Sequence, residues 1–133
     1  MFSHIFLGVD DFERALDFYS PLMDALGLGQ RFVDTQRPWA GWESAPGSRP
    51  LFLIGRPYDG RPSSPGNGNM VAFSAATREQ VDSAYAVALS RGGASEGAPG
   101  FRPHYHASYY GAYLRDPEGN KICVVCHAAD MPC

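Results

Sequence analysis

The chain has 133 residues, 44% of them hydrophobic, with a formal net charge of −3. That length suits one domain, or two small half-domains sharing a core, and the apolar content can bury that core without disulfide staples. With no basic run of four or more residues, the electrostatic footprint of nucleic-acid binding is missing.

The opening MFSHIFLGVDD carries no cationic leader, and its apolar run is broken by His4 and ends at Asp10. It reads as neither a signal peptide nor a membrane span, so no membrane partner is expected. Period-two alternation puts Ile5, Leu7 and Val9 on one face of a strand and Phe2, His4 and Phe6 on the other. In DDFERALDFYSPLMDALG, the residues Phe12, Ala15, Leu16, Tyr19, Leu22, Met23 and Leu26 keep helical spacing. Asp10 or Asp11 caps this helix and Gly27 suits the left-handed stop. Ser20-Pro21 predicts a kink or restart inside it, because proline lacks the amide and clashes with the preceding turn.

Short runs rich in β-branched and aromatic residues follow: RFVDT, AGWES and PLFLIG. Trp39 and Trp42 are three apart, so an extended chain sends them to opposite faces. The Pro/Gly/Ser-rich stretch around 58–68 reads as a linker. A second strand, MVAFSA, leads into the helix TREQVDSAYAVALSRGG. Thr77 and Gln80 form a capping box there, Val81, Ala84, Tyr85 and Ala88 make the buried stripe, and Gly92-Gly93 ends it. The strands YGAYLR and KICVVCH close the chain around a turn at Asp116-Pro117-Glu118-Gly119-Asn120.

Sliding the first strand and helix forward by 66 residues lays them on the second pair, with Glu13 on Glu79, Tyr19 on Tyr85 and Gly27 on Gly93. Strand, helix and a run of strands therefore occur twice. The predicted fold is α+β: two paired βαβββ modules forming a curved mixed sheet around a cleft, helices outside. Module 1 spans about 1–57, the linker about 58–68, module 2 about 69–127 and a tail 128–133, all one domain.

The segments HIFLGVDDFERALDFYSPLMDALG, GNGNMVAFSA and YYGAYLRDPEGNKICVVCH, covering nearly the whole chain, resemble the vicinal oxygen chelate superfamily. That group includes glyoxalase I, bleomycin-resistance proteins and extradiol dioxygenases. The D-P-x-G-N turn is the most specific part of the likeness. The resemblance implies a homodimer that completes the cleft. It also implies that metal-dependent members draw ligands from the first and last strands of each module, here His4, a residue near Phe52, Met70 and Cys123. Only His4 keeps the family's His, Gln or Glu, so no cofactor is expected. A divalent metal at His4, with Cys123, His104 or His106, is the alternative.

Other candidates come from the residues themselves. His104-x-His106 places two imidazoles on one face if extended, a geometry zinc sites use, and an aromatic surface loop is the other reading. Arg102, Tyr109, Tyr110 and Tyr113 suit a planar or anionic ligand through charge and stacking. The expected ligand-lining set is His4, Phe6, Phe52, Met70, Arg102, His104, His106, Tyr110, Tyr113 and Cys123. Cys123 and Cys126 are three apart on a strand, so they do not form the convergent thiol pair of a redox motif or zinc knuckle. An odd cysteine count, all beyond residue 120, is no disulfide framework, and a reducing cytosol is the expected compartment. The first functional reading is a metal-free small-molecule-binding protein. The second is a metal-dependent lyase, isomerase or dioxygenase built on His4.

Overall fold

A computed structural model describes residues 1–128. The elements in chain order are β1 (His4–Gly8), α1 (Phe12–Ala25), β2 (Gly29–Asp34), β3 (Trp39–Glu43) and β4 (Leu51–Gly55). They are followed by β5 (Val71–Ser74), α2 (Arg78–Ser90), β6 (Ala94–Phe101), β7 (Tyr110–Arg115) and β8 (Lys121–Cys126). The duplication is explicit in the pairing. Each module has a parallel pair, β1 with β4 and β5 with β8, extended by antiparallel neighbours to the orders β1-β4-β3-β2 and β5-β8-β7-β6. The eight strands thus make two four-stranded mixed sheets, and these do not join into one sheet.

Helix α1 begins where the Asp11 carboxylate accepts the Arg14 amide at 3.1 Å, and it ends before Gly27 at φ +73°. It runs through Pro21 with no restart. The lost amide frees only the carbonyl of Asp17, a solvent-facing residue that water can serve. Phe18 and Tyr19 before the proline and Leu22 and Met23 after it are all buried and pin both halves to the core. At α2 the Thr77 hydroxyl accepts the Gln80 amide at 3.0 Å, and Gln80 Oε1 reaches back to the Ala76 amide at 2.7 Å. Thr77→Ala removes the first of these bonds and is expected to cost about 1 kcal/mol, read from chemical denaturation.

Strand β6 escaped the sequence reading because its ASEGAPGF carries two glycines and a proline. It sits at a sheet edge with two register shifts against β7, where a missing ladder donor is tolerated.

One core joins the halves. Helices α1 and α2 lie against each other, and Phe52 of β4 meets Phe73 of β5 edge-to-face at 4.9 Å. The 116–120 turn closes the joint. Asp116, 4% exposed, accepts the Tyr19 hydroxyl at 2.6 Å, the amides of Glu118 and Asn120, and the Asn120 side chain. The Glu118 carboxylate accepts the Asp10 and Asp11 amides, both at 3.0 Å, at the start of α1. The Asn120 side chain also donates to the Gly8 carbonyl at 3.2 Å. The most family-specific segment of the sequence is therefore a latch between modules.

Candidate functional site

Strand register decides which side chains share a face. In the first sheet His4 and Phe6 stand opposite Leu51 and Leu53, while Ile5 and Leu7 stand opposite Phe52 and Ile54. The His4 side opens to solvent. It forms a cavity of about 810 Å³ whose walls include His4, Phe6, Trp39, Leu53, Arg56 and Tyr58. The Arg37 guanidinium covers the Trp39 ring at 3.9 Å, while Trp42 is buried on the helix side. The two tryptophans do face opposite ways.

Phe52 does not line this cavity. Its position in β4 turns it toward the helices, where it packs on Tyr19, Trp42 and Phe73. Leu51 and Leu53, its neighbours on the strand, take the cleft side.

In the second sheet Tyr113 pairs with Cys123 and Gly111 with Val125, so Cys123 shares its face with Tyr113 and, one alternation earlier, with Tyr109. Tyr109 and Tyr113 join hydroxyls at 2.8 Å, and the Tyr109 hydroxyl lies 3.6 Å from Cys123 Sγ. Tyr110 points the other way, its hydroxyl donating to Asp82 of α2 at 2.7 Å. Tyr109 thus holds the place expected of Tyr110. Arg102 returns to the concave side, its guanidinium 5.4 Å from the Tyr113 ring centroid. Met70 is exposed at the entry to β5.

The loop 102–109 does not form a histidine pair from His104 and His106. His104 stacks on Tyr105 with centroids 4.2 Å apart. His106 reaches His127, Nε2 to Nδ1 at 2.9 Å. The Ser108 amide donates to His106 Nδ1 at 3.2 Å, so Nε2 of a neutral His106 carries the proton and donates to His127. Ring centroids 5.1 Å apart at 26° put the two nitrogens nearly on the line between rings, the layout of a hydrogen bond and not of a chelate. Period two along KICVVCH puts His127 on the cleft side with Cys123 and Val125, although the expected ligand-lining set left it out.

Burial raises the pKa of Tyr109, Tyr113 and Cys123. The phenols and the thiol are thus neutral near pH 7. The Arg102 and Lys121 charges and the tyrosine hydrogen bonds pull Cys123 the other way, but burial prevails. Cys123 is the free thiol, and Cys126 is buried in the core.

His4 and Cys123 are not brought together. The His4 cavity is walled only by first-module and linker residues, and the Cys123 cluster only by second-module ones.

A profile of the Glyoxalase/Bleomycin resistance protein/Dioxygenase superfamily matches residues 1–124. The chain belongs to that superfamily. Among solved structures it is similar to a glyoxalase/bleomycin resistance protein from Albidiferax ferrireducens, at 38% identity and TM-score 0.84, covering 95% of this chain and 98% of that one. It shares the fold of TnmS3, an antibiotic binding protein from a Streptomyces species, at 19% identity and TM-score 0.65 over 96% of each chain. A glyoxalase-related enzyme from Fulvimarina pelagi shares it at 16% identity and TM-score 0.71, covering 95% and 87%. Comparison with curated proteins returns no match.

The metal that some superfamily members use does not fit these residues. His4 stands with Leu51 and Leu53 on its face, and Cys123 with Ala72 as its β5 neighbour. Aliphatic side chains ligate nothing, and Met70 offers only a weak thioether. Among the described residues no group of three or more His, Cys, Asp or Glu stands close enough to hold an ion.

Proposed function

We propose that the chain is a small-molecule-binding protein whose cleft is completed by a second copy of itself. One observation carries this reading: each module presents its own face of aromatic and apolar side chains, and among the described residues neither face is covered by the other module. Phe2, Phe6 and Met70 are exposed at 59%, 43% and 45%. Large apolar side chains left in water on an open sheet face mark an association surface. Laying one chain's first-module face over its partner's second-module face encloses Phe6, Trp39 and Leu53 against Tyr109, Tyr113 and Cys123. Such a pocket is apolar and aromatic with few polar groups, the usual make-up of a ligand site. TnmS3, named as an antibiotic binding protein, shares only the fold, so the ligand class must be argued from this chain's own side chains.

In light scattering the protein is expected at twice its 14.5 kDa chain mass. Phe6→Glu, a charge placed in the proposed contact, should give a monomer with an unchanged circular dichroism spectrum. A wild-type monomer would remove the two-chain cleft. Binding of a neutral aromatic panel, followed through Trp39 fluorescence, should survive EDTA. Stoichiometric zinc, nickel, iron or manganese whose loss follows His4→Ala would overturn the metal-free reading and restore the enzymatic one.

A further inference from the structure

Two cations on the second module converge on one ring. The Arg102 guanidinium lies 5.4 Å and the Lys121 ammonium 5.7 Å from the centroid of Tyr113. Neither has a carboxylate partner among the described residues. Arg102 donates to the carbonyls of Ala98 at 2.9 Å and Phe101 at 3.5 Å. The four ion pairs of the described residues use Arg14 twice, Arg31 and Arg115. Glu96, the acid nearest along β6, is engaged by Arg115 at 3.2 Å.

Like charges held over one ring repel each other, and cation–π attraction offsets only part of that. The face supplies no internal neutraliser, because burial keeps Tyr109, Tyr113 and Cys123 protonated. In a chain of net charge −3 this patch is locally positive. The linked hydroxyls add a donor. Two phenolic protons serve one Tyr109–Tyr113 bond, so the second is free for Cys123 Sγ or for an incoming acceptor. Beside them Tyr105, 60% exposed, packs against Tyr109 with centroids 4.8 Å apart, a platform for a flat ring.

We propose that this face recognises an aromatic monoanion of the aryl carboxylate class. Arg102 and Lys121 bind the carboxylate, Tyr113 donates to it, and Tyr105 and Tyr109 stack the ring. The proposal rests on the reading of this face as part of a small-molecule cleft and adds the charge and shape of what enters it.

The test uses 2-naphthoate and its neutral isostere 2-naphthamide, titrated calorimetrically into the whole protein at low salt. Naphthoate should bind at least about tenfold more tightly, the size of one charge-assisted hydrogen bond. Raising the salt should erode that preference. Arg102→Gln combined with Lys121→Gln should abolish it, with melting temperature as the check on folding. Equal affinities in the wild type overturn the anion site and leave the aromatic cleft standing. A preference that survives the double variant overturns the assignment to Arg102 and Lys121. If neither compound binds, the anion site fails, and silence from the neutral aromatic panel as well takes the cleft reading with it.

Discussion

Asp116→Ala lowers the free energy of unfolding by about 3–5 kcal/mol, measured by urea denaturation. The buried carboxylate accepts four donors, from the Tyr19 hydroxyl, the Glu118 and Asn120 amides and the Asn120 side chain. Alanine leaves them stranded, and an orphaned buried donor costs about 1–3 kcal/mol before relaxation. Tyr19→Phe removes only one of those bonds, so its cost is about 1–2 kcal/mol. A loss of under 1 kcal/mol in Asp116→Ala would show that the turn does not hold the modules together.

The same pair gives a pH signature. Burial, then the charge of Asp116 and its hydrogen bond, hold the Tyr19 phenol well above its ordinary value of 10.0. The folded state keeps a proton that the unfolded chain releases, so this contribution is intact below about pH 10 and falls as pH rises past it. Alkaline denaturation should therefore be steep in the wild type and shallower in Tyr19→Phe.

Phe52→Ala is the second large effect, at about 3–5 kcal/mol, the range for deleting a buried phenylalanine. Its ring meets Tyr19 at 5.1 Å and Phe73 at 4.9 Å, one partner in each module. Were Phe52 a ligand-lining residue, the variant would melt normally and lose only binding. The expected result is the reverse, a lowered melting temperature whatever ligand is present.

Phe52 and Tyr110 show where the sequence was legible and where it was not. Duplicated strand–helix patterns, caps and stops came from local periodicity and turn chemistry, and those signals lie wholly within a dozen residues. Facing also follows from period two, and the rule that separated Trp39 from Trp42 applies equally to Tyr110 and Tyr113, three apart. Applied there, it selects Tyr109 beside Cys123. Phe52 needed the parallel register of β1 with β4, in which His4 stands opposite Leu51. That register is set by contacts more than 40 residues apart in sequence and leaves no local trace. The relative placement of the modules was hidden for the same reason. A cleft inside one chain and a cleft between two chains use the same alternation, so period two could not fix how α1 packs on α2.

The latch also sets a schedule for synthesis. Glu118 and the Asp10 amide it accepts are 108 residues apart. At roughly 5–20 residues per second, the start of α1 is made about 5–20 s before its partner. Through that interval the Asp10 and Asp11 amides and the Tyr19 hydroxyl lack their final acceptors. Translation must therefore pass Glu118 before these three donors can meet their final acceptors.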